Sequence, residues 1–116
     1  MYRLIISFFI LLATSLQAQD KPENCKVNNI RLTGDVRIVN SAPDITVYIS
    51  SRETFNSLEV EITDVIPDDC GEWYITDRCE DFSIKIITDE VLADLVITIR
   101  DTREGKAFLD KYPPDL

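Results

Sequence analysis

The sequence predicts an all-β fold, a single small domain of six to seven short strands recurring every 11–13 residues. Three observations predict it. Ile38, Ile49, Ile62, Ile75, Ile87 and Ile99 stand at spacings of 11, 13, 13, 12 and 12 residues, and a fixed period marks one structural unit used repeatedly. Ahead of these isoleucines apolar and polar residues alternate: Ile45, Val47, Ile49; Leu58, Val60, Ile62; Leu95, Ile97, Ile99. A period of two with β-branched enrichment suits a half-buried strand, whereas a helix would scatter i and i+2 over different faces. Two residues after each isoleucine comes Asn40, Ser51, Asp64, Asp77, Asp89 or Asp101. Such side chains bond their own following amides and open turns.

The elements follow in order. Residues 1–18 have the layout of a secretory signal: Arg3 supplies positive charge, Leu4 to Ala13 is apolar, and Thr14 to Ala18 turns small and polar. The apolar run is about half the ~20 residues a spanning helix needs, so cleavage after Ala18 is expected rather than retention as an anchor. No Cys stands at the cleavage point to take a lipid, the first being Cys25. Residues 19–35 form a polar lead-in in which Val27, Ile30 and Leu32 suggest a short first strand. The β-repeat domain occupies 36–101. In its fourth unit Ile86-Ile87 adds one residue, the kind of insertion a β-bulge absorbs. Ala42, Phe55, Ile66, Cys79 and Leu92, apolar residues in connections, are expected to tuck back against the core. A meander barrel and a wound, solenoid-like coil both fit the spacing. The tail, 102–116, is polar with a last short strand or turn expected at Ala107-Phe108-Leu109, and Pro113-Pro114 discourages regular structure beyond it.

Charge excludes some partners. The chain has 12 basic and 21 acidic residues, net −9, and loss of Arg3 with the leader makes the exported chain −10. Nucleic acid and anionic membrane surfaces repel such a chain. Once the signal is removed no segment is apolar enough to reach into a bilayer, and a monomer is expected, with an unidentified protein as the one partner class left open. Three cysteines in an exported chain make a disulfide expected and leave one thiol over. Cys25–Cys70 is the expected pair, because it ties the lead-in to the middle of the repeats; Cys70–Cys79 is the alternative. Cys79 reads as a small buried hydrophobe.

The chemistry of catalysis is thin. There is no His, so no Ser–His or Cys–His pair, and Gly34, Gly71 and Gly105 stand apart, so no phosphate-cradling loop exists. The carboxylate pairs Asp68-Asp69, Glu80-Asp81 and Asp89-Glu90 fall in turns. No cofactor, catalytic residue or resident metal is expected. Calcium is an alternative, because Asn40, Asp64, Asp77, Asp89 and Asp101 would form a ladder of oxygen ligands if the strand ends stacked side by side. Among the aromatic residues, Trp73 shares an inward column with Val47, Val60 and Ile97 and is expected in the core. Tyr48 and Tyr74 share the outward column and suggest an exposed aromatic strip.

Asn40-Ser41-Ala42-Pro43-Asp44-Ile45 resembles the V-D-S-F-P-D-apolar repeat of the septoil-knot family of small exported bacterial proteins, and Cys70-Gly71-Glu72-Trp73 resembles its central Cys-Gly-x-Trp insertion. The resemblance spans roughly 36–101. It implies an all-β fold whose chain winds through itself in a seven-crossing knot, which spacing alone would never suggest since most folds contain none. It implies no established activity and no catalytic residues. The chain lacks Phe in most connections and carries Cys79 besides. The function expected is a non-enzymatic, exported structural or protein-interaction module, periplasmic or extracellular. A calcium-dependent binding module and a small inhibitor of an exported hydrolase are the alternatives.

Overall fold

The computed structural model describes residues 23–54 and 56–114. The expected leader over 1–18 and the expected tuck of Phe55 lie outside the described residues. β1 (Lys26–Val27) and β2 (Ile30–Arg31) pair antiparallel as a small hairpin. Six strands follow: β3 (Gly34–Ile38), β4 (Ile45–Ile49), β5 (Leu58–Ile62), β6 (Glu72–Ile75), β7 (Phe82–Ile86) and β8 (Leu95–Ile99). They close into a barrel in the order β3-β6-β5-β8-β4-β7, and every ladder is parallel. Parallel pairing overturns the meander, which would pair neighbours antiparallel, and leaves the wound coil.

The winding follows from the strand order. Each connection carries the chain two strands round the barrel in one constant sense, except that from β5 to β6, which carries it one. β3, β4 and β5 thus make one three-stranded turn, and the single step drops β6, β7 and β8 into the gaps of the first turn. Register makes the short connections possible. Ile38 and Ile45 flank Ile84; Ile49 and Leu58 flank Ile97; Ile75 and Phe82 flank Val36; Ile86 and Leu95 flank Val47. The end of one strand and the start of the next therefore lie on either side of the middle of a third. A connection has only two inter-strand spacings to cover, about 10 Å. Residues 39–44 and 76–81 suffice, although parallel connections ordinarily take about a dozen residues or more.

The same register reveals a duplication. Ile38, Ile49 and Ile62 end β3, β4 and β5; Ile75, Ile86 and Ile99 end β6, β7 and β8, each 37 residues on. Gly34 and Gly71 correspond, both with positive φ (126° and 84°), as do Ala42 and Cys79 (52° and 55°). The register residue of β7 is consequently Ile86 and not Ile87. One-for-one pairing runs through Ile84 and Ile86 on β4, so there is no bulge; Ile87 lies one residue beyond, its amide donating to the Val47 carbonyl at 2.9 Å.

The expected strand face is the inner face. The middle layer is Val36, Val47, Val60, Trp73, Ile84 and Ile97, one per strand, each fully buried and each contributing about 1.5–3 kcal/mol of transfer free energy. Trp73 packs edge-on against Phe82, ring centroids 5.6 Å apart, and its Nε1–H donates to the Leu32 carbonyl at 3.1 Å. Leu32, from the hairpin, closes the end where the strands begin. The tail closes the other end, as a helix rather than the expected short strand or turn: α1 (Arg103–Lys111), capped by Thr102 Oγ1 accepting from the Gly105 amide at 2.9 Å. Phe108 is buried, with Leu109 and Tyr112 packed against the core. Their spacing of one and four residues is helical. A Cβ on Gly105 would overlap the Arg100 carbonyl, so only glycine lets the helix start this close to β8.

The connections correct another expectation. Ala42 and Cys79 are exposed, Leu92 is 70% exposed and Ile66 90%. The strands' own side chains fill the interior, and the connections run on the outside of the barrel, where tucking inward has no space to occupy.

Candidate interaction surface

What holds a crossing connection is a carboxylate. Residues 39–44 cross β7, and Asp44 Oδ2 accepts from the Ser83 amide at 2.8 Å and lies 3.3 Å from Ser83 Oγ, while the Asp44 amide donates to the Ser83 carbonyl. Ser83 points outward, yet the crossing buries it. Residues 76–81 cross β3, and Asp81 Oδ2 accepts from the Asp35 amide at 2.8 Å. Residues 87–94 cross β4, and Asp94 Oδ2 accepts from the Thr46 amide at 2.9 Å and from Thr46 Oγ1 at 3.1 Å. In the connection that crosses β8 the equivalent residue is Ser57, which turns inward on its own loop: its hydroxyl donates to the Thr54 carbonyl at 2.8 Å and accepts from the Thr54 amide at 3.0 Å. A clasp of this kind satisfies ladder amides that the crossing shields from water.

The single step from β5 to β6 crosses nothing, and none of the described connections covers the outer faces of these two strands. Their outward residues are Glu59, Glu61, Glu72 and Tyr74. Glu61 and Glu72 are direct neighbours across the ladder, a placement that like charges disfavour. Each is separately satisfied. Glu61 pairs with Arg100 at 2.9 Å, and Glu72 Oε1 accepts from the amides of Asp68 at 2.9 Å and Asp69 at 3.1 Å. The bonds from Asp68 and then Asp69 hold the Glu72 carboxyl below its ordinary value of 4.5.

Above this face stands the connection 63–71. Its tip, Val65 and Ile66, is 66% and 90% exposed. With Pro67, Tyr74, Asp35 and Asp64 it walls a groove of about 340 Å³. The connection is tied at both ends. Thr63 Oγ1 accepts from the Val65 amide at 3.1 Å, the Glu61 amide donates to the Gly71 carbonyl at 2.8 Å, and Thr33 Oγ1 donates to the Asp69 carbonyl at 3.1 Å. The Gly71 amide donates to the Leu32 carbonyl at 2.9 Å, and a disulfide joins Cys70 to Cys25, Cα atoms 5.9 Å apart. Gly71 itself admits no side chain, since a Cβ there would meet the Glu59 carbonyl at 2.6 Å.

The disulfide is the Cys25–Cys70 pair, and the leftover Cys79 lies exposed in a connection, not in the core. The turn residues Asn40, Asp64, Asp77, Asp89 and Asp101 do not form a ladder. Each strand end is displaced two residues from its neighbour, so the turns spiral round the barrel. Among the described residues no three His, Cys, Asp or Glu side chains group as metal ligands. The turn acids have local tasks: Asp89 Oδ1 accepts from the Val91 amide at 3.0 Å, and Glu80 pairs with Arg37 at 3.7 Å. Tyr48 and Tyr74 form no strip, because β4 and β6 lie on opposite sides of the barrel. The apolar character of Ile66 alone suggests the core; only the uncrossed step, visible in the strand order, marks the Val65–Ile66 tip as surface. Among the described residues no helix is long and apolar enough to cross a membrane.

Six parallel strands laid down in two interlocked turns, with connections clasped across the outside, define a small wound β-barrel of structural type. The chain belongs to the family of 7(1) septoil knot domains, whose family model matches residues 29–106, a wider span than 36–101. No curated protein and no solved structure matches it.

Proposed function

We propose that the protein is an exported, non-catalytic interaction module that offers the Val65–Ile66–Pro67–Tyr74 groove to a protein partner. The observation that carries this reading is Ile66, 90% exposed at the tip of a connection fixed at both ends. A preorganised apolar anchor binds without the entropy of ordering a loop. The disulfide agrees with an oxidising compartment, and determination of the N-terminal residue as Gln19 in secreted material would establish export.

The test is a photo-crosslinking amino acid placed at Ile66 in the producing cell, with Val91 as control. Val91 is equally exposed, at 89%, on a connection that crosses the opposite side of the barrel. A discrete adduct from position 66 and none from position 91 is expected. Absence of an adduct, or the same adducts from both, defeats the reading.

A further inference from the structure

We infer that the groove takes a cationic peptide segment of a partner protein, with one apolar side chain seated between Ile66 and Tyr74 and lysines or arginines over the surrounding carboxylates. The inference rests on the interaction reading above and names the partner's chemistry. Size comes first. At about 340 Å³ the groove lies at the small end of ligand sites, so it admits a side chain or two and not a folded surface. Its walls are apolar where that side chain would sit: Val65, Ile66, Pro67 and the exposed ring of Tyr74.

Charge comes second. The two ionisable groups lining the groove beside Tyr74 are both carboxylates, Asp35 and Asp64. Asp35 is the direct ladder neighbour of Tyr74, so one acid stands immediately beside the aromatic wall. Below them the uncrossed face adds Glu59 and Glu72, Glu61 being paired with Arg100. Of the nearby cations, Arg100 is paired with Glu61 at 2.9 Å and Arg37 with Glu80 at 3.7 Å, while Lys111, on the far side of Tyr74, lies over the Tyr112 ring at 5.6 Å. The net charge of −9 extends the same sign over the molecule and steers cations inward from a distance. An anionic segment, a nucleic acid or an anionic lipid surface would meet like charge at both ionisable groups of the groove, Asp35 and Asp64.

The probes are three synthetic hexapeptides: Leu-Trp flanked by lysines, Leu-Trp flanked by glutamates, and Ser-Gly flanked by lysines. Amide chemical shifts of the full secreted chain are followed at low salt. The lysine-flanked Leu-Trp peptide alone is expected to move the amides of 64–66, Asp35 and Tyr74. Asp35→Asn with Asp64→Asn should weaken it about three- to tenfold, the worth of two exposed charge pairs, and 0.5 M salt should do the same. Ile66→Ser, a change at an exposed site, should abolish the shifts. Equal binding of the glutamate-flanked peptide overturns the cationic assignment and leaves the docking reading standing. Shifts spread over the whole acidic surface, or binding by the Ser-Gly peptide, overturn the apolar anchor. If no peptide moves these amides the inference fails, and the crosslink at position 66 decides the docking reading independently.

Discussion

Four connections of the barrel cross a strand and one does not, and the two kinds are held by different means. The crossing connections lie flat on a strand; in three of them a carboxylate (Asp44, Asp81, Asp94) grips an amide of the strand beneath. The central connection has no strand beneath it to grip. It is secured from outside the repeat by Cys25, Leu32 and Thr33 of the lead-in, and from within by Glu72. Crossing a strand therefore stabilises the barrel and covers surface. Failing to cross leaves two strand faces open and lifts an apolar tip away from them. The place where the winding slips by one strand is thus also where outer strand surface remains uncovered.

The strongest break in this comparison is loss of the disulfide. Cys25 and Cys70 close a loop with a sequence separation of 45, which chain entropy values at about 4 kcal/mol. Cys25→Ser with Cys70→Ser should lower the unfolding free energy from urea titration by that amount and speed amide exchange in 63–71 and in the hairpin first. Equal acceleration in the crossing connections would mean that the central one has no separate anchorage.

Removing a clasp should cost less and act elsewhere. Asp44→Ala leaves the Ser83 amide and hydroxyl under a crossing without their acceptor, a loss of about 1–3 kcal/mol. Asp94→Ala, at the more exposed Thr46 contact, should fall at the low end of that range. Asp68→Ala is the control: its amide and not its carboxylate makes the bond to Glu72, so its effect should stay within about 0.5 kcal/mol. Urea unfolding of the three variants orders them. If Asp68→Ala matched Asp44→Ala, the clasp would have no special standing.

Much of the fold is legible in the sequence, for a physical reason. Strand faces are written in a period of two, and every inward residue of β4, β7 and β8 follows it. The duplication is harder to see because Ile86 and Ile87 are both good strand residues, and choosing the second blurs a 37-residue repeat into an approximate 12-residue one. The clasps hide for another reason: Asp44, Asp81 and Asp94 look like ordinary turn acids until the topology lays each over a strand about 40–50 positions away. The groove is the least legible part. Val65, Ile66 and Leu92 carry the hydrophobicity of core residues, and sequence alone cannot reveal that the interior is already filled. Phe108, by contrast, suggests a short strand or turn because a nine-residue helix shows its period only twice.

The finest test concerns how Glu72 holds the central connection. Hydrogen bonds from the Asp68 and Asp69 amides favour its charged form, so its folded pKa lies below the ordinary 4.5. A depressed folded pKa means that the unfolded chain takes up the proton first. The stabilisation is complete above about pH 4.5 and is lost as pH falls through the folded value. Glu72→Gln keeps an acceptor oxygen for the two amides but removes the charge. The variant should melt below the parent at pH 7, the gap should narrow as pH falls below 4.5, and amide exchange at Asp68 and Asp69 should show the same convergence. The crossing connections, which do not touch Glu72, should keep their exchange rates in the variant at either pH. A gap that stayed unchanged as the pH was lowered until the Glu72 carboxylate signal had titrated would mean that packing of the Glu72 side chain, and not its charge, secures the one connection that crosses nothing.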